Sequence, residues 1–195
     1  MANAAPATIV ALGDSLTAGY GLAAEDGLVP QLQAWLSAHG AEVALLNAGV
    51  SGDTTAGALA RLDWTLTPEV DAMIVTLGGN DMLRGTDPGN SRANLKAILA
   101  EAQARNLPVL LVGISAPGNY GPDYKTRFDA IYPDLAAEYG ALLVDDFFAP
   151  LTGENPTSLG QFMQTDGIHP NADGVTRIVE SLGPKVLALL ARLPG

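Results

Sequence analysis

Short apolar runs alternate with longer stretches of helical period along the whole chain. The first run, Thr8-Ile9-Val10-Ala11-Leu12, is rich in β-branched residues and apolar on both faces, as a strand inside a parallel sheet reads. Comparable runs recur at about 42–47, 71–77, 109–114 and 141–144. Helical spacing falls between them, first at about 27–39, where Leu28, Leu32, Trp35 and Leu36 share a face and His39-Gly40 supplies a stop signal. Further helices are predicted at about 54–63, opening after Asp53, and at about 90–105, with Leu95, Ile98, Leu99 and Ala102 on one side. Two more follow at about 123–139 and 171–192, the last with Gly183-Pro184 as the place where it would bend. A loop rich in Gly and Pro covers 115–122, and a looser segment leads to Asp166.

No repeat, low-complexity tract or linker interrupts this alternation, so one domain spanning 1–195 is expected. The pattern predicts a three-layer α/β/α sandwich around a five-stranded parallel sheet. The economical right-handed winding is the flavodoxin-like order 2-1-3-4-5, which binds ligands where strands one and three end.

Composition narrows the partners. A net charge of −11 argues against nucleic acid and anionic membrane surfaces. It also counts against coenzyme A thioesters, unless Arg61 or Arg84 makes a local positive patch. With no cysteine, disulfides, thiolate metal sites and a cysteine nucleophile are excluded. No apolar run is long enough to span a bilayer, so stable membrane insertion is not expected. The opening Met1-Ala2-Asn3-Ala4-Ala5-Pro6-Ala7 has no basic segment and no apolar leader core, yet such small residues often flank a leader cleavage site. The expectation is a periplasmic or secreted mature form, with a cytoplasmic protein as the alternative.

Candidate chemistry sits in the loops after the first three strands and before the last helix. Gly13-Asp14-Ser15-Leu16 follows strand one, so Ser15 reads either as a nucleophile or as a cap of the next helix. A serine needs a base, and the chain has two histidines. His39 is accounted for by a favourable helix C-terminus. His169, in Asp166-Gly167-Ile168-His169-Pro170, has a carboxylate three residues upstream, able in a tight turn to hold the imidazole tautomer that accepts a serine proton. Alternatively the pair is only a helix-entry turn. Gly52 and Asn80 are potential donors to an oxyanion, together with the Ser15 N–H, and singly each also reads as an ordinary turn residue. Asp14, Asp53 and Asp81 are expected to bind nearby amides, Asp53 as a helix cap too. A metal site from Asp53, Asp81, Asp166 and His169 is disfavoured by the single imidazole, and neither a phosphate loop nor a dinucleotide pattern is present, so no metal or cofactor is expected. Leu16, Met82, Leu83, Tyr120 and Ile168 are the apolar candidates for holding a substrate.

Taken in order, Gly13-Asp14-Ser15-Leu16, Ser51-Gly52-Asp53-Thr54, Gly78-Gly79-Asn80-Asp81 and Asp166 to Pro170 resemble the blocks of the SGNH-hydrolase superfamily, the GDSL esterase/lipases. The longer runs 13–22, 47–62 and 77–85 look most like its bacterial arylesterase and thioesterase I–lysophospholipase L1 branch. The resemblance implies Ser15 as nucleophile, His169 as base, Asp166 as its orienting acid, and Ser15, Gly52 and Asn80 as oxyanion donors. It implies a small ester substrate: an aryl ester, a short- to medium-chain acyl ester, a thioester or a lysophospholipid. A carbohydrate O-deacetylase with the same catalytic set is the alternative enzyme, and a non-enzymatic ligand-binding module is the rival outside enzymes.

Overall fold

Gly13 ends the first strand, and its register fixes where the functional loops emerge. In the computed structural model, which describes residues 6–152 and 156–193, β1 (Ala7–Gly13) lies between β2 (Val43–Gly49) and β3 (Ala72–Thr76). Gly13 pairs with Gly49 on one side and Thr76 on the other, both strands parallel to β1. The sheet continues through β4 (Val109–Val112) to β5 (Leu142–Val144), giving the predicted order 2-1-3-4-5. All residues of β3 and β4 are buried, the signature of strands covered on both faces, whereas edge strand β2 exposes Leu46 and Asn47.

The helices, in chain order, are α1 (Ser15–Ala18), α2 (Leu28–Ala38), α3 (Thr55–Ala60), α4 (Leu62–Thr65), α5 (Gly79–Leu83), α6 (Pro88–Ala104), α7 (Pro122–Asp129), α8 (Ile131–Tyr139), α9 (Ala149–Thr152) and α10 (Ala172–Leu190). Helices α2 and α10 pack together on one face, while α3, α6, α7 and α8 form the contacting group on the other. Leu32 and Leu36 of α2 and Ile178, Leu182, Val186 and Leu189 of α10 are buried in the same core as Ile9, Leu12 and Leu110. Each such side chain contributes about 1.5–3 kcal/mol by leaving water. No helix among the described residues is long and apolar enough to cross a membrane.

Several boundaries differ from the expectation for identifiable reasons. The helix predicted over 123–139 is two, because Pro133 has no N–H to return to the Asp129 carbonyl. The helix predicted from 90 starts at Pro88, capped by the Asp87 carboxylate accepting from Gly89 N–H. Helix α10 continues through Pro184, and Gly183 is a packing residue, since a β-carbon there would enter the Trp35 ring. The predicted 54–63 helix divides into α3 and α4, and α3 is capped by Thr54, not Asp53. His39 caps α2, donates from Nδ1 to the Trp35 carbonyl at 2.7 Å, and stacks on the Trp35 ring.

Candidate active site

Three loops leave the aligned ends of β1, β2 and β3 side by side. The first begins with Asp14, whose carboxylate accepts from Leu16 N–H at 3.0 Å and caps α1. Capping therefore falls to Asp14, and Ser15 is the first residue of the helix. At that position its N–H is one of the helix's free donors and its hydroxyl is available for another partner.

That partner comes from the opposite end of the chain. His169 Nε2 lies 2.8 Å from Ser15 Oγ, and His169 Nδ1 lies 2.7 Å from Asp166 Oδ2. Asp166 Oδ1 accepts from the N–H groups of Ile168 and His169 at 2.9 and 3.0 Å. The imidazole bond and these two amides hold the Asp166 carboxyl down at about 2. An ionised carboxylate only accepts, so the Nδ1 proton faces Asp166 and Nε2 is left to accept from the Ser15 hydroxyl. The Tyr20 ring lies against the imidazole with centroids 4.7 Å apart.

The second and third loops bring Gly52 and Asn80 to the same place. Gly52 has φ +82°, a left-handed conformation that a side chain resists. Its carbonyl is held by Arg84 Nη2 at 2.8 Å, and its N–H has no bonding partner among the described residues. Asn80 directs one N–H to Asp14 Oδ2 at 3.2 Å, leaving the other amide hydrogen for a further acceptor. The two loops are fastened by Asp81, whose buried carboxylate reaches past its own turn to accept from Thr55 N–H at 2.8 Å, Thr55 Oγ1 at 2.6 Å and Ser91 Oγ at 3.2 Å. Burial raises the Asp14 carboxyl to about 6, against the opposing pull of Leu16 N–H and Asn80.

Ser15, Gly52, Asn80 and His169 line one cavity of about 570 Å³. Leu16, Met82, Leu83 and Ile168 line it as well; Tyr120 does not, and instead donates to the Leu83 carbonyl at 3.3 Å. Much of the apolar wall comes from Ile114, Phe148, Leu159 and Met163, which sequence reasoning did not single out. Neither arginine forms part of this wall. Arg61 is engaged by Asp53 at 2.8 Å and the Gly13 carbonyl at 3.1 Å, and Arg84 by the Gly52 carbonyl at 2.8 Å. Among the described residues no group of three or more His, Cys, Asp or Glu side chains is arranged around a metal position.

A family model described as the GDSL-like Lipase/Acylhydrolase family matches residues 11–177. Esterase TesA of Pseudomonas aeruginosa is 40% identical over 189 residues, covering 96% of this chain and 92% of that protein. Thioesterase 1/protease 1/lysophospholipase L1 of Escherichia coli K12 is 38% identical over 189 residues, covering 96% of this chain and 86% of its own. Among solved structures, AlinE4, an SGNH-hydrolase family esterase, superposes with a TM-score of 0.78 at 41% identity, covering 100% of both chains.

Proposed function

The chain belongs to the GDSL-like lipase/acylhydrolase family, and on that premise we propose that it cleaves carboxylic esters by two-step acyl transfer on Ser15. The observation that carries the reading is the continuous bond from Asp166 through His169 to the Ser15 hydroxyl, 2.7 Å on one side of the imidazole and 2.8 Å on the other. Ser15 Oγ attacks the ester carbonyl as His169 Nε2 takes its proton, and Asp166 stabilises the imidazolium that results. The tetrahedral oxyanion rests on the N–H groups of Ser15 and Gly52 and on the Asn80 amide. His169 then gives the proton to the departing alkoxide, and the C–O bond to the leaving group breaks. Water, deprotonated by His169, attacks the acyl-enzyme, and the carboxylic acid leaves as Ser15 recovers its proton.

Aryl and short- to medium-chain acyl esters are the proposed substrates. The wall of Ile114, Phe148, Leu159, Met163 and Ile168 favours an acyl or aryl group over an acetylated sugar, whose hydroxyls would meet few partners there. The test is a serine-directed phosphonate followed by peptide mapping. One equivalent should attach at Ser15 with loss of p-nitrophenyl ester hydrolysis, and Ser15→Ala should take none while keeping its melting transition. Labelling elsewhere, or turnover by Ser15→Ala, would overturn the reading.

A further inference from the structure

Ser15 and His169 are 154 residues apart in the chain, so their 2.8 Å contact depends on whatever joins the two loops that carry them. Gln164 makes that join. Its backbone N–H donates to the His169 carbonyl at 2.7 Å and its carbonyl accepts from Gly167 N–H at 3.0 Å, closing the turn that presents Asp166 and His169. Its side-chain Nε2 donates twice, to the Pro170 carbonyl at 2.9 Å and to the Tyr20 carbonyl at 2.8 Å. Tyr20 N–H in turn donates to the Ser15 carbonyl at 3.1 Å. An unbroken series of bonds thus runs from the Ser15 peptide through Tyr20 and Gln164 to the two peptides that follow the imidazole, those carrying the His169 and Pro170 carbonyls. Gly21 belongs to the same arrangement: with φ +75°, it lies where a β-carbon would land on Gln164 Oε1.

We infer that Gln164 is a positioning residue that holds the His169 loop against the Ser15 loop and so sets the distance over which the serine proton passes. The inference rests on Ser15 and His169 being the nucleophile and base. A glutamine amide suits the task because both of its hydrogens are consumed by carbonyls on different loops. Removing it leaves the Asp166–His169 pair intact, since those bonds are internal to the turn, but frees the turn to drift from Ser15. A displacement near 1 Å at such a site lowers turnover by about 100-fold.

The experiment measures p-nitrophenyl ester hydrolysis by Gln164→Leu, which keeps the bulk and removes both donors. The expected result is a 10- to 100-fold fall in kcat with KM within twofold, and a parallel fall in the rate of phosphonate inactivation. The same substitution placed in His169→Ala should cause no further loss, because it acts through the imidazole. An unchanged kcat, or a full-sized loss persisting in the His169→Ala background, overturns the inference. If Gln164→Leu gives no cooperative melt, Gln164→Glu, of the same shape with the donors replaced by an acceptor, carries the same expectations. Failure of both to fold also overturns it, because Gln164 would then serve the fold and not the site. Ser15→Ala is assayed alongside: activity surviving there defeats the serine mechanism itself, whereas an inert Ser15→Ala beside an unimpaired Gln164→Leu defeats only the tether.

Discussion

Asn80 Nδ2 donates to Asp14 Oδ2 at 3.2 Å, which couples the loop after β3 to the residue immediately before the nucleophile candidate. Asp14 is 2% exposed, and no cation among the described residues bonds it. Its two oxygens are committed to Leu16 N–H and Asn80, so the amide of Asn80 is held with its oxygen turned away from Asp14.

Asp14→Asn therefore separates stability from turnover. With its oxygen on Leu16 N–H, the new amide points N–H groups at the N–H groups of Asn80, and Asn80 must rotate and present its oxygen to the cavity. The expected loss in kcat is about 10²–10³-fold, the scale of one oxyanion donor. The melting temperature at neutral pH should rise, because a buried carboxylate with a raised pKa carries a desolvation cost on the order of 1–3 kcal/mol that the amide lacks. A variant with wild-type kcat, or a lower melting temperature, would contradict this account.

Asn80→Ala removes the donor outright and should lower kcat about 10²–10³-fold with little change in KM. Since it acts on the same group, adding Asp14→Asn to Asn80→Ala should cost much less than Asp14→Asn does alone. Steady-state kinetics on the single and double variants check both statements, and a loss under threefold in Asn80→Ala would remove it from the oxyanion role.

The two shifted carboxyls act on stability in opposite directions. Asp14 is raised from 3.8 to about 6, so the folded state binds its proton more tightly than the unfolded chain does. Its penalty is complete above about pH 6 and is relieved as pH falls from there towards 3.8. Asp166 is lowered from 3.8 to about 2, so its contribution is complete above 3.8 and is lost as pH falls through about 2. Melting temperature against pH should show a wild-type gain between pH 7 and 4 that Asp14→Asn lacks. A difference curve between the two that is flat over this interval would show that Asp14 does not titrate there.

Asp81 fastens the loops that carry Gly52 and Asn80, and Thr55 is its principal partner. Thr55→Val deletes the hydroxyl that donates to Asp81 Oδ1 at 2.6 Å and accepts from Asn94 Nδ2 at 3.0 Å, leaving a buried carboxylate short of a donor. The expected destabilisation is about 1–3 kcal/mol, read by denaturant unfolding. A change below a few tenths would mean that the network contributes little.

What the sequence made legible follows the range of the interactions involved. Strand β3 is announced by its own residues, because a strand covered on both faces is apolar throughout. The strand order followed from chain economy, and with it the gathering of Ser15, Gly52 and Asn80 at one end of the sheet. The break between α7 and α8 is encoded locally by Pro133, but the apolar period that runs across it reads as one helix. Phe148, Leu159 and Met163 were not, because their segment follows the last strand and has no period of its own; only the folded sheet gives it a surface to lie on. Tyr120 reads from its aromatic side chain as a substrate-holding candidate, yet it donates to the Leu83 carbonyl and is not part of the wall. The tether at Gln164 depends on three carbonyls distant or unremarkable in sequence, and no motif encodes such a meeting.

Phe148 is the residue through which acyl length should be adjustable. The cavity beside Ser15 is about 570 Å³, and its wall is apolar at Ile114, Phe148, Leu159 and Met163. Each methylene taken up by such a wall is worth about 0.8 kcal/mol, or about fourfold in kcat/KM. Across p-nitrophenyl esters from acetate to decanoate, kcat/KM should rise with each step until the chain fills the space and then level or fall. Phe148→Ala opens the wall, so short esters should lose contact and the maximum should move to longer chains by several carbons. A thioester of the same acyl group should follow the same profile, since the wall meets the acyl chain and not the leaving atom. A maximum unmoved in Phe148→Ala would place the acyl group elsewhere in the cavity and assign this wall to the leaving group instead.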